Sequence, residues 1–228
     1  MNKRNIKLLV VGAVILVAGF FAYKQTQGSE ITSDVSFAYV TDSQARGVFY
    51  SGEGVESGIS ISTEVFDSLD LNVSLDNKHA FDEQDDSVFG VELGASVLNG
   101  IDLGVGFLAY NGHNFLDGQN ELYVEAGFDF MFDPSATVYY NSEAELWTVE
   151  GSVGHSLDLL GQEVNLSAFL GDTELPVGDS HVYYGVEASI AYEINEDLTL
   201  GAGVAYVDSN SSNLEGEFIF SVGLSTQF

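Results

Sequence analysis

From Asp34 onward, apolar and polar side chains alternate with a period of two, the pattern of half-buried strands rather than helices. Val55, Ile59, Ile61 and Val65 alternate with Glu56, Gly58, Ser60, Ser62 and Glu64. Past Asp67-Ser68, Leu69, Leu71, Val73 and Leu75 alternate with Asp70, Asn72, Ser74 and Asp76. The two runs read as a hairpin on a tight turn. Phe89 to Val97 and Ile101 to Phe107 repeat it around Asn99-Gly100, a dipeptide that tolerates the positive φ angles of a two-residue turn. Alternating runs continue from Leu122 to Phe130, Thr137 to Asn141, Trp147 to Val153, Val164 to Leu170, Val182 to Tyr192, Leu198 to Val204 and Phe218 to Phe228. With a first strand around Val35 to Val40, the expected total is about twelve.

The connections alternate in length. Asp67-Ser68, Asn99-Gly100, Asp133 to Ser135 and Asn195 to Asp197 are short, whereas 41–54, 77–86, 111–119, 171–180 and 208–213 are longer and polar. Short turns at one end and long loops at the other mark a transmembrane up-and-down β-barrel. The faces agree with that. One face of most strands is Gly, Ser and carboxylate, and a ring of about twelve strands is too wide for such side chains to fill as a dry core. That face is expected to line water, and the nearly charge-free face to meet lipid. Phe37, Tyr39, Phe66, Phe107, Tyr110, Phe130, Tyr140, Tyr184, Tyr192 and Tyr206 fall near expected strand ends, as interfacial girdles require.

Composition sharpens this picture. The 228 residues include 25 Gly and only 2 Pro, with 12% aromatics, and there is no Cys for disulfides, thiolate metal sites or thiol catalysis. Six Lys and Arg stand against 35 Asp and Glu, for a net charge of −29. Four of the six (Lys3, Arg4, Lys7 and Lys24) precede Gly28, so beyond it only Arg46 and Lys78 remain. Nucleic acid is excluded as a partner, because its binding requires clustered cations. Residues 1–28 hold a basic start, an apolar run from Leu8 to Tyr23 and a polar end, expected to form a hydrophobic helix that acts as signal peptide or signal anchor. Thr26 and Gly28 suit cleavage before Ser29, and residues 29–228 would then be the barrel.

Two local resemblances point the same way. The last strand ends on Phe228 with apolar residues at alternate positions before it, which resembles the C-terminal signal read by the assembly machinery of outer-membrane barrels. Thr41-Asp42-Ser43-Gln44-Ala45-Arg46-Gly47, followed by Ser57-Gly58, resembles the opening of an uncharacterised, porin-like family of Gram-negative outer-membrane barrels. In that family the first strand reads Ser-Asp-Tyr-x-x-Arg-Gly and the second begins near Gln-Gly. Asp42, Arg46 and Gly47 match, whereas Ser43 and Ser57 depart. The resemblance implies a barrel in the outer membrane, with membrane lipid and the assembly machinery as partners, and implies no activity.

Candidate chemistry is sparse. His79, His113, His155 and His181 are scattered, with no pair at metal-ligand spacing, and no Gly-x-Ser-x-Gly elbow is present. The run 82–86 is acidic but lacks the ligand order of a calcium loop, and reads as solvated. Neither enzyme activity nor a cofactor is expected. The inward carboxylates are the one constellation with a mechanism: Glu64, Asp70, Glu92, Asp102, Glu125, Asp129, Glu150, Glu163, Glu187 and Glu217 share the polar parity on different strands. Rings of one charge sign select ions of the other. Arg46, nearly alone among acids, is expected to pair with carboxylates inside the barrel. The expected function is passive, cation-preferring diffusion of small solutes. The alternative is a non-conducting structural or adhesive barrel acting through acidic extracellular loops. Oligomeric state leaves no trace in the sequence.

Overall fold

A computed structural model describes residues 31–45, 48–66, 68–81, 85–112, 118–159, 162–174, 180–210 and 216–228. The signal segment 1–28 and Arg46 lie outside the described residues, and so does Gly47 of the 41–47 motif. Among the described residues there is no helix. In chain order the strands are β1 (Ile31–Val40), β2 (Ser43–Ala45), β3 (Val48–Ser51), β4 (Gly54–Phe66), β5 (Leu69–Ala80), β6 (Asp86–Leu98) and β7 (Ile101–Asn111). They continue with β8 (Asn120–Phe128), β9 (Ser135–Asn141), β10 (Leu146–Leu159), β11 (Gln162–Glu174), β12 (Ser180–Glu193), β13 (Leu198–Ser209) and β14 (Glu217–Gln227).

Twelve of these strands close an antiparallel barrel in which each pairs with its sequence neighbours and β14 returns to β1. The first and last strands are zipped from Asp34 opposite Gln227 to Val40 opposite Ser221. Ser33 and Phe228 exchange backbone hydrogen bonds of 3.0 and 2.9 Å beyond that stretch. Closure leaves the ring without an edge strand, which is what permits strands to cross hydrocarbon. The remaining pair, β2 and β3, is a small hairpin within the connection from β1 to β4. The stretch 41–54 read as a plain loop therefore contains a folded element.

Burial is inverted relative to a soluble protein. Val124 on β8 is 58% exposed, whereas Glu121 three residues earlier is 3% exposed. Ile59, Val105, Val149, Leu170, Val186 and Phe220 are exposed in the same way on their own strands. So large an apolar surface is stable only against lipid. The strands are also long. β10 and β12 each have 14 residues, more than the roughly 9–11 a tilted strand needs to cross.

The extra residues project above the membrane, where the outward face meets water and the inward face holds buried polar groups such as Lys78 and Asp86, so the apolar-polar alternation disappears. This is why 77–86 reads as loop although β5 runs on to Ala80 and β6 begins at Asp86. At the opposite end the turns are tight. Gly100 takes φ +78° in the β6–β7 turn, and Ser68 takes φ 68° beside a bulge between Glu64 and Phe66.

The outer rims carry aromatics. Toward the long loops, Tyr140 packs at a tilt against Trp147 at 4.6 Å and Tyr206 against Phe218 at 5.0 Å. The hydroxyls of Tyr184 and Tyr206 donate to Asp208 at 2.9 and 3.2 Å, the arrangement of an interfacial ring with an apolar body and a wet tip. Tyr110 corrects the expected girdle. It is 6% exposed and donates to Glu121 at 2.8 Å inside the barrel. Its parity is that of Asp102, Gly104 and Gly106, so it turns inward with them.

Candidate functional site

The strands of a closed barrel tilt by about 35–45°, so a row of register partners climbs as it passes around the wall. One such row starts at the short-turn end, where Glu64 faces Asp70, and passes through Gly94 and Gly104 to Glu125. It continues through Thr137, Glu150, Gly171 and Tyr183 to Ser209 at the long-loop end. Carboxylates thus recur along one ascending track instead of forming a flat ring. Period-two alternation puts them all on the lumen face.

Toward the short turns the lumen is open. A cavity of about 510 Å³ is lined by Glu64, Asp70, Glu92, Asp102 and Glu125 together with Asn72 and Ser96. Five of the ten carboxylates singled out in the sequence are therefore brought together. Glu64, Asp70 and Asp102 are exposed to this open space, with Asp102 accepting from Ser96 at 2.5 Å. The opposite wall, on β12, β13, β14 and β1, holds a second hollow of about 290 Å³ lined by small residues such as Ser36, Ala38, Gly201, Gly203, Ser221 and Gly223. Acid on one side thus faces small, uncharged side chains on the other.

Midway, the carboxylates acquire partners. The Tyr123 hydroxyl donates to Glu92. The Tyr183 hydroxyl donates to Glu150 at 2.7 Å, and Thr137 donates to Glu125 at 3.4 Å. Aromatic rings crowd this level, with Tyr123 against Tyr139 at 5.8 Å and Phe169 against Tyr183 at 6.2 Å. Thr148 and Thr173, register partners on β10 and β11, share a 2.8 Å hydrogen bond while buried. The expectation of water along the whole small and acidic face needs correcting here. Phe169, Tyr183 and Val207 have lumen parity, and the latter two are almost fully buried. The lumen narrows to a packed section above the open one.

Toward the long loops, the β2 end of the first connection reaches the wall. Ser43 donates to Glu56 and accepts from Lys78 Nζ at 2.8 Å. Lys78 is 3% exposed, with Glu56 and Asp86 as its register partners on β4 and β6. Among the described residues it is the single Lys or Arg. Asp42, just before Ser43, is pushed up to about 6, chiefly by burial and further by the Glu217 carboxyl, against the opposing pull of the Ser43 N–H and Lys78.

The remaining candidates are dispersed. Glu163 stands opposite Asp158 at the short-turn end, and Glu187 lies between Ser167 and Ala205 on β11 and β13. Glu217 opens β14 at the other rim. Asp129 lies just past the end of β8 at the short-turn rim, its amide bonded to Gly100 O at 2.9 Å one step beyond the Ile101-Phe128 pair. Lys78, Glu56, Asp76 and Glu121 are lumen residues that the candidate set omitted. Parity alone marks Glu56 and Asp76, whereas Lys78 was hidden in an apparent loop. No group of His, Asp and Glu among the described residues has the geometry to hold a metal ion.

No model of a known protein family matches the sequence, and no curated protein sequence matches it. Solved structures do. The NanC porin superposes with a TM-score of 0.55 at 13% identity, covering 85% of this chain and 98% of its own. The KdgM porin gives 0.54 at 10% identity, covering 86% and 99%. An outer membrane channel from Pseudomonas putida F1 gives 0.55 at 10% identity, covering 88% and 96%. At such identities the likeness speaks for the fold: this chain is an all-β, twelve-stranded barrel of the Gram-negative outer-membrane type.

Proposed function

We propose that the protein is an outer-membrane diffusion channel that prefers small cations. The observation that carries this reading is the ascending row of lumen carboxylates. Glu64, Asp70, Glu125 and Glu150 share it, with Glu92 beside it, while Lys78 is the single Lys or Arg among the described residues. Fixed charge of one sign in a narrow, low-dielectric wall concentrates counter-ions and repels ions of its own sign. The likeness to porins of the same fold supports a channel but not this selectivity.

The KdgM porin has been solved in complex with disordered oligogalacturonate. Galacturonate units carry carboxylates, which a lumen of the present charge would repel, so the solutes here belong to a different class: neutral or cationic and small.

Purified protein in planar bilayers should conduct, and a salt gradient should give a reversal potential of cation-selective sign. Neutralising Glu125 and Glu150 to glutamine should reduce that potential. Anion preference would overturn the selectivity. Silent insertion would overturn the channel itself and favour a non-conducting structural or adhesive barrel, for which the packed section around Tyr183 and Thr148 is the supporting observation.

A further inference from the structure

One arrangement occurs twice in the barrel wall. Glu92, Gly106 and Tyr123 are register partners on β6, β7 and β8, and Glu150, Gly171 and Tyr183 are register partners on β10, β11 and β12. In each case the tyrosine ring lies across the glycine of the neighbouring strand, in space that a Cβ on that glycine would occupy. The hydroxyl then donates to the carboxylate one strand further on. Glycine is required by this close approach and not by its backbone angles. A side chain at Gly106 or Gly171 would lift the ring off the wall and carry the hydroxyl out of reach.

The chemistry of these rungs follows from the donor. A tyrosine hydroxyl is neutral, so it orients a carboxylate without cancelling its charge, as Lys78 would. A glutamate held this way keeps its field but loses its reach. Unclamped, its side chain would extend from the wall into the lumen, Glu92 at the open cavity and Glu150 at the narrowed section, and meet passing cations at close range. A fixed charge at the wall favours the repeated, weak encounters that conduction needs, whereas a mobile carboxylate coordinates an ion longer.

We propose that Tyr123 and Tyr183 are positioning residues that set the rate of cation passage by clamping Glu92 and Glu150 against the wall. This rests on the channel reading above, and it adds the distinction that net charge sets selectivity while the two hydroxyls set throughput. Glu125, in the row of Glu150, takes its hydrogen bond from Thr137 on the adjacent strand at 3.4 Å, a longer and weaker restraint than either tyrosine rung.

The test compares the full protein with the double variant Tyr123→Phe and Tyr183→Phe, which keeps both rings over their glycines and keeps every charge. The reversal potential should stay as in the unmodified protein. Single-channel conductance in potassium chloride should fall about two-fold or more, and block by added magnesium should strengthen. Heat-modifiable migration on a denaturing gel verifies that the variant still forms a closed barrel. Should it not, Glu92→Asp with Glu150→Asp serves instead, since the shorter carboxylates keep the charge but cannot reach the hydroxyls. Conductance and magnesium block both unchanged in a folded variant would overturn the clamp and leave the channel reading standing. A protein that never conducts would overturn both.

Discussion

The Lys78 ammonium donates to the Ser43 hydroxyl across 2.8 Å, tying the first connection to the inner wall of β5 although the two residues are 35 positions apart. Lys78 is almost fully buried between the register positions of Glu56 and Asp86. A cation there offsets carboxylates that would otherwise repel one another at the narrow end of the barrel.

Replacing Lys78 by Met should release this tie. Loss of one partner from a buried polar contact costs about 1–3 kcal/mol. The urea midpoint for unfolding from lipid vesicles should drop accordingly, and conductance should rise as the first connection leaves the mouth. Ser43→Ala, which removes the shared hydroxyl but keeps the charge, should show the same direction with a smaller amplitude. Unaltered conductance in Lys78→Met would show that the connection does not occlude the mouth.

Asp42 supplies a pH dependence of defined sign. Burial and Glu217 raise its carboxyl to about 6 in the folded protein, against about 3.9 in an unfolded chain. The folded state therefore holds the proton more tightly. The resulting stabilisation is complete below about pH 4 and is lost as pH rises through about 6. Over that window the thermal midpoint of the unmodified protein should fall relative to that of Asp42→Asn, which stays uncharged throughout. Parallel curves for the two proteins would contradict the burial of this carboxyl beside Glu217.

Adjacent residues on β8 should respond oppositely to the same substitution. Val124 faces lipid and is 58% exposed, whereas Glu125 lines the cavity of about 510 Å³. Lys at a lipid-facing site near the bilayer midplane costs about 2–4 kcal/mol. Val124→Lys should thus depress folding into vesicles by that amount. Glu125→Lys should fold normally and lower the cation-to-anion permeability ratio. Equal folding costs at the two positions would mean that β8 does not divide lipid from water.

Part of this barrel was legible in the residues themselves. Alternation from Leu69 to Asp76 or from Leu122 to Gly127 states which side chains share a face, because the pleat is local. Asn99-Gly100 states where a hairpin reverses. The number of strands and the alternation of short and long connections follow from such local signals, and so does the lumen parity of Glu64, Asp70, Glu92, Glu125 and Glu150.

Which of those carboxylates meet, and what restrains them, depended on partners distant in sequence. Glu92 and Tyr123 come together because two hydrogen-bonded strand pairs set their register over Gly106, and nothing near either residue encodes that. Tyr110 has lumen parity in the sequence, but the carboxylate that receives its hydroxyl, Glu121, is brought to it only by the pairing of β7 with β8. Lys78 and Ser43 were assigned to loops, since above the membrane the outward face is wet and the inward face buries polar groups against one another, so the apolar-polar period of two fades. Local chemistry dictated the faces; closure of the tilted ring, which converts register into height and proximity, decided the site.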